Sequence, residues 1–270
     1  MTSLAAWMGV DSRGSSSFYF ASDSRISWGY ELTWDYGRKL FASQNYPDIF
    51  GYCGDVLFPS LVLGQVVSMM DCGLMFSQME APCERFEKIL DLIKKSFIEL
   101  PYKCQNPFTI LYCSRINEST KSIFELYRLD WDSQNGWIIS EPNLPTQSDL
   151  ILSLGSGRNS IKESNLNWQN TEVKGTSRAV FSAFCDSLLS GIDPLTGGAP
   201  QLVGIYRKGS AKNFGIIFNK QRYLFGLPVE NENLKSVEWR NCLFEMSDPD
   251  TKERQANAQV QPRPKSLRAP

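Results

Sequence analysis

The chain reads as an α+β protein of two antiparallel sheets packed together with helices outside each. Three observations predict this. Strand patterns come first, two helical patterns follow, strands return, one more helix appears, and strands close the chain. Turn signals between successive strands are short, as in antiparallel hairpins. The 270 residues are 42% hydrophobic, enough for one large core or for one domain plus a tail.

The elements follow in order. Leu4–Val10 is apolar, Asp11–Ser17 is a polar Gly/Ser turn, and Phe18–Ser22 resumes the strand. Arg38–Ala42 and Asp48–Cys53 form a second pair across the turn-forming Ser43–Pro47. Ser60–Met70 is apolar on most faces and reads as a buried helix. Cys83–Leu100 places Phe86, Ile89, Leu90, Ile93 and Phe97 at helical spacing with Lys88, Lys94 and Lys95 opposite, and Pro101 ends it. Phe108–Ser114 and Ser122–Trp131 are strands, and Asn135-Gly136 turns the second onto Trp137–Ser140. Leu150–Leu154 is a short strand ending at Gly155-Ser156-Gly157. Thr176–Leu189 is a helix with Val180, Phe181, Phe184 and Leu188 on one face. Gln201–Lys208, Asn213–Asn219 and Gln221–Leu227 are closing strands. Residues 1–245 read as one domain. From 246 to 270 the chain is Pro/Gln/Asn-rich and aperiodic, which predicts a disordered tail.

Composition removes several chemistries. There is no histidine, so neither a Ser-His-Asp nor a Cys-His triad can form, nor a His-containing zinc site. Seven scattered cysteines include no CxxC pair, which predicts free thiols in a reducing cytoplasm and no metal or cofactor. A net charge of −1 gives no pull toward nucleic acid or an anionic membrane. No apolar run reaches the ~20 residues that span a bilayer, and the start lacks the basic region of a signal peptide.

What remains is the second residue. Removal of Met1 leaves Thr2 with a hydroxyl nucleophile and its own base, an α-amine of unperturbed pKa ~7.7–8.0. Four polar features then fall at predicted strand ends. They are Asp23 in Ala21-Ser22-Asp23-Ser24-Arg25, Lys39 in Gly37-Arg38-Lys39-Leu40, Gly54 in Gly51-Tyr52-Cys53-Gly54, and the loop Asp193-Pro194-Leu195-Thr196-Gly197-Gly198. Each alone reads equally as a turn or edge residue.

Taken together, their order and spacing resemble the proteasome β-type subunits, within the N-terminal-nucleophile (Ntn) hydrolases that include HslV and Anbu proteins. The Ala21–Arg25 segment resembles the family's (A/S)-D-(S/T)-R motif, and Lys39 follows Asp23 by the family's sixteen residues. Gly51–Gly54 resembles the strand end that supplies an oxyanion amide. Leu154–Gly157 resembles the G-S-G turn, and Asp193–Gly198 the D-x-x-S-G-G loop with Thr in place of Ser. The likeness runs from Thr2 to about Pro228.

The resemblance implies the four-layer αββα Ntn-hydrolase sandwich and a cytoplasmic threonine peptidase. Thr2 would be the nucleophile, Lys39 a cation beside it, Asp23 the partner of Lys39, and Gly54 the oxyanion donor. Ser156, Asp193 and Thr196 would hydrogen-bond around the amine. Ser27 would bind the substrate backbone as an added strand, and Tyr52 would line the pocket before the scissile bond. It also implies peptide or unfolded-protein substrates and a homo-oligomeric ring or spiral, and leaves open an ATPase unfoldase partner. The apolar Ser60–Met70 helix supports assembly, since one of its faces would need a neighbour.

Three departures stand out: a first hairpin turn about five residues longer than usual, a polar stretch Arg158–Lys174 where a helix is expected, and a tail with no counterpart. Three other readings stay open. They are a non-catalytic structural subunit, an amidase on a small non-peptide amide, and nucleotide binding through Gly155–Ser160.

Overall fold

Apolar side chains alternate along the long strands, so each strand has two buried faces to satisfy. The computed structural model describes residues 2–77, 80–102, 105–118, 121–230 and 233–267. Removal of Met1, the thiol of Cys104 and the end of the tail at 268–270 lie outside the described residues.

One sheet has five strands in the order β5 (Leu40–Ala42), β6 (Asp48–Gly54), β7 (Phe108–Glu118), β8 (Lys121–Asp132) and β9 (Gly136–Ser140), all antiparallel. The other runs β10 (Asp149–Leu154), β1 (Leu4–Asp11), β2 (Gly14–Ser22), β11 (Gln201–Tyr206), β12 (Lys212–Phe218), β13 (Gln221–Leu224) and β14 (Leu227–Pro228). In it β15 (Glu238–Asn241) pairs parallel with β12. A separate hairpin joins β3 (Ile26–Trp28) and β4 (Leu32–Trp34). The helices are α1 (Leu57–Asp71), α2 (Pro82–Ile98), α3 (Arg158–Gln169) and α4 (Ser177–Leu189).

The alternation sorts the core into clusters. Leu4, Ala6, Phe18, Phe20 and Val203 of the larger sheet meet Leu40, Ile49, Leu111 and Leu126 of the smaller one. The residues that alternate with these turn away. Phe50, Tyr52, Ile110, Tyr112 and Leu129 pack on Val62, Val66, Phe86 and Ile93 of α1 and α2. Ala5, Trp7, Tyr19 and Leu202 pack on Ile161 of α3 and Val180, Phe181 and Phe184 of α4. Burial of a large apolar side chain contributes roughly 1.5–3 kcal/mol, so these interfaces supply most of the drive to fold.

Several expectations change. The first hairpin turn is only Ser12-Arg13, because the polar Ser15–Ser17 stay in β2. The extra length is taken up by longer strands and by a register shift at Gly9/Val10. The polar stretch after Gly157 is helical as α3, which buries only Ile161, Asn165 and Trp168. That is one narrow stripe, too sparse to show as an apolar face. Most of α1 is covered: Val62, Leu63, Val66, Val67 and Met70 are buried, and Leu57 and Leu61 are the large apolar side chains it leaves exposed. The α1 face is therefore not the uncovered surface expected of it.

Packing does not break at 245. Arg263 donates to both carboxylate oxygens of Asp186 on α4, lies over the Trp168 ring, and accompanies Leu267 against that ring's cluster. Polar side chains, not periodic apolar ones, place this segment, which is why its composition reads as disorder.

Candidate active site

The site grows from two adjacent strand ends. β1 begins at Leu4, so Thr2 and Ser3 lead into it, and β2 ends at Ser22 directly before Asp23. Antiparallel pairing sets Leu4 opposite Ser22. It therefore brings Asp23 beside Ser3, whose N–H donates to Asp23 Oδ1 at 2.9 Å while the Asp23 N–H returns to the Ser3 carbonyl at 3.2 Å. Thr2, Asp23 and Lys39 are all fully buried.

Asp23 accepts four hydrogen bonds. Lys39 Nζ donates to Oδ1 at 2.7 Å, alongside Ser3 N–H. Gly197 N–H and Arg25 N–H donate to Oδ2 at 3.0 and 3.2 Å. Lys39 Nζ also donates to the Arg25 carbonyl at 2.6 Å. Burial pulls the Lys39 ammonium below its ordinary pKa, and the Asp23 carboxylate opposes that pull. A buried charge pair of this kind persists only when its remaining donors and acceptors are satisfied, as they are here.

Gln201, at the head of β11, was not singled out by its sequence, yet it ties the site together. Its side-chain amide donates to the Asp23 carbonyl, the Gly37 carbonyl and Ser24 Oγ, and its Oε1 accepts the Lys39 N–H at 3.1 Å. The one available signal is a glutamine opening an otherwise apolar strand, Gln201-Leu-Val-Gly-Ile. Arg25 holds the far wall. It pairs with Asp35 through two bonds of 2.7 and 2.8 Å, and its guanidinium lies so close to Gly197 that a Cβ there would sit 2.6 Å from Cζ.

Two glycines cradle the Thr2 backbone. Gly155 has φ +83°, and a Cβ on it would lie 1.9 Å from the Thr2 carbonyl oxygen. Gly157 N–H donates to that same oxygen at 3.4 Å. The Gly-Ser-Gly turn thus wraps Thr2, two residues before β1, and α3 starts directly after it.

Gly54 ends β6 at φ +97°, with a Cβ position only 2.6 Å from the Pro107 carbonyl, so no side chain fits. Beside it opens a cleft of about 430 Å³ lined by Gly54, Phe108, Arg128, Trp131, Gly155 and Ser156 among others. Cys53 also borders this cleft, but burial pushes its thiol up to about 11, which leaves it protonated at neutral pH.

The remaining sequence-derived candidates divide. Thr196 is buried and meets Gly157, since a Cβ on that glycine would lie 3.3 Å from Thr196 Cγ2. Thr196 hydrogen-bonds through both N–H and Oγ1 to the Asp193 carbonyl, and Asp193 Oδ1 accepts the Leu195 N–H. Asp193 Oδ2 is buried without a partner among the described residues. Ser156 is exposed on the cleft rim and makes no hydrogen bond among the described residues. Of these three, Thr196 is the one that lies against the Gly155–Gly157 turn, and Ser156 is exposed. Ser27 lies on β3 and donates to the Leu195 carbonyl at 3.1 Å. Tyr52 does not reach the cleft. It is fully buried on the α1–α2 side of its sheet with its hydroxyl on the Arg38 carbonyl, because strand alternation turns it the same way as Phe50 and opposite to Cys53. Among the described residues no cluster of ligating side chains could hold a metal ion, and no helix is long and apolar enough to cross a membrane.

No family model matches this chain, and no curated protein matches it. Solved structures do match, among them the crystal structure of eukaryotic HslV from Trypanosoma brucei. That likeness is at 12% identity, with 75% of this chain and 99% of that chain covered and a TM-score of 0.46. Identity and superposition at this level carry no argument about activity.

Proposed function

We propose that this chain is a proteasome-like N-terminal threonine peptidase with the four-layer αββα Ntn-hydrolase architecture. One observation carries the reading: a fully buried lysine and a fully buried aspartate, both hydrogen-bonded at one carboxylate oxygen, which also accepts the N–H of the residue after Thr2. The pair costs several kcal/mol of desolvation per ion.

The chemistry assigns each group a task. Once Met1 is removed, Thr2 Oγ attacks the carbonyl carbon of the scissile amide, and the α-amine takes the hydroxyl proton. Lys39, held by Asp23 and the Arg25 carbonyl, places a donor and positive charge by the nucleophile, which lowers the pKa of both hydroxyl and amine. The Gly54 N–H stabilises the tetrahedral oxyanion, a contribution of ~2.7–4 kcal/mol for one such donor. The amine then protonates the leaving nitrogen. Water, deprotonated by the same amine, cleaves the Thr2 ester and restores the enzyme. Ser27 on β3, whose other edge carries no strand among the described residues, receives the substrate backbone as an added strand. Self-association shelters the site and limits substrates to peptides or unfolded chains, in the cytoplasm, with an ATPase unfoldase as an optional feeder.

Treatment with a peptide epoxyketone tests the reading. An N-terminal threonine offers hydroxyl and amine on adjacent carbons, and both react to close a ring. The adduct is expected on Thr2 by peptide mass mapping. An adduct on Cys53 instead would show incidental thiol reactivity and overturn the assignment.

A further inference from the structure

The layer between the two sheets changes character where it reaches the site. Along β8, Phe124 and Leu126 face the other sheet, and alternation carries Arg128 and Asp130 onto that same face. Along β7 the same rule continues Cys113 and Leu111 into Thr109. The apolar layer therefore ends in a polar rim. That rim forms one wall of the cleft of about 430 Å³ beside Gly54, and Arg158 with the Gly155–Ser156 turn forms another.

Hydrogen-bond accounting shows what the cleft has left to offer. Asp130 is engaged: Thr109 Oγ1 donates to its Oδ1 at 2.5 Å, and Arg128 Nη2 and Nε lie 2.9 and 2.7 Å from Oδ1 and Oδ2. Asp132 is engaged by its own turn. It accepts the N–H groups of Gln134 and Asn135 at 2.8 and 2.7 Å, and the Asn135 amide as well. The cations differ. Arg128 is held in place by Asp130, yet its Nη1 meets no acceptor among the described residues. Arg158, exposed in the first turn of α3, forms no side-chain hydrogen bond or ion pair among them. The unused capacity of the cleft is thus guanidinium N–H.

We infer that Arg128 and Arg158 form an anion subsite that selects peptides placing a carboxylate in this cleft, from an acidic side chain or from a free C-terminus. A guanidinium offers two parallel N–H groups to the two oxygens of a carboxylate, which a carboxamide with its single oxygen cannot match. Arg128 is pre-oriented. Asp130 fixes one edge of its plane, so little rotamer freedom is lost when Nη1 takes a ligand. Its side chain is 33% exposed, open enough to be reached and enclosed enough that water screens the contact only in part. A lysine side chain entering the same cleft would meet two guanidinium groups and two carboxylates already engaged. The inference rests on the peptidase reading only for calling the ligand a substrate. The charge pattern of the cleft stands without it.

The test is isothermal titration of the full chain carrying Thr2→Ala, so that turnover plays no part. The probes are a short alanine-rich peptide amide with one Glu moved along its length, its Gln counterpart, and the Gln peptide with a free carboxyl terminus. The Glu amide at one position, or the free-acid peptide, is expected to bind at least ~10-fold tighter than the Gln amide, with the advantage shrinking at high salt. Which of the two does so identifies the source of the carboxylate. Arg158→Gln and Arg128→Gln should each cut the advantage to ~3-fold or less, and Arg158→Lys should keep part of it. Arg158 is exposed, so its variants are expected to fold as the parent does, and circular dichroism checks Arg128→Gln. Equal binding of all three peptides, binding of none, or an advantage unchanged by Arg158→Gln would overturn the inference. If the epoxyketone still labels Thr2 of the unaltered chain in that case, the peptidase reading stands without the subsite. A carboxylate preference without that label would refute the peptidase reading and keep the subsite.

Discussion

Replacing Asp23 by asparagine keeps its shape and removes its charge. In the native site Oδ1 accepts Ser3 N–H and Lys39 Nζ, and Oδ2 accepts Gly197 N–H and Arg25 N–H. An asparagine has one acceptor oxygen. Whichever way the amide turns, its NH₂ meets two donors, and Lys39 loses its counter-charge while remaining fully buried. Breaking a buried pair from one side costs about 3–5 kcal/mol, a large part of the ~5–15 kcal/mol that holds a domain folded. Lys39→Met should cost a similar amount by orphaning Asp23. The double variant should cost at least ~2 kcal/mol less than the sum of the two, since neither charge is then left alone. Equilibrium unfolding in urea, compared at constant m, reads all three values. If Asp23→Asn cost under ~0.5 kcal/mol, as a surface substitution does, or if the two effects simply added, the buried pair would not be the keystone described here. The same magnitude makes Lys39→Met a better probe of chemistry than truncation to alanine, which adds a cavity.

Further outcomes follow from single contacts. The folded pKa of Lys39 lies below its unfolded value of 10.5, so as pH rises the native state releases this proton first, and the unfolded state binds more protons in that window. Stability relative to Lys39→Met should therefore rise up to about pH 10.5, by at most ~1.4 kcal/mol per pH unit, and parallel pH curves for the two proteins would refute the shift. Gly155→Ala should lose labelling at Thr2 and more stability than Gly14→Ala, whose φ is +95° but whose Cβ would meet nothing within 4 Å. The second change should cost only the ~1–2 kcal/mol of the left-handed backbone, and equal losses would remove the argument for the cradle. Arg263→Ala should leave global unfolding within ~1 kcal/mol, because the pair is partly exposed, while limited proteolysis after residue 245 speeds up. Unchanged cleavage there would show that Arg263 does not anchor the segment.

The parts of this architecture made by long apolar strands were legible from the residues. The hairpins at Asn135-Gly136 and Ser43–Pro47, and the α2 stripe of Phe86, Ile89, Ile93 and Phe97, fall where periodicity sets them. The pairing of Asp23 with Lys39 came from family-like spacing, and the hydrogen bond at 2.7 Å gives that spacing a physical reason. What stayed hidden depends on contacts between distant segments. Gln201 serves groups more than 160 residues away, and nothing local marks it. The α3 helix buries three inward residues, too few to give the polar stretch Arg158–Lys174 a visible apolar face. The facing of Tyr52 follows from strand alternation alone: it shares the α1–α2 side with Phe50, two residues away, and opposes Cys53.

The central claim is that Thr2 acts as nucleophile and its own amine as base. Intact mass and N-terminal sequencing of peptidase-active material, paired with the activity of a form in which residue 2 is kept acylated, test it most directly. Active chains should begin at Thr2. The acylated form and Thr2→Ala should be silent, and Thr2→Ser should retain part of the rate because it keeps the hydroxyl. Full activity with Met1 still attached would contradict the account.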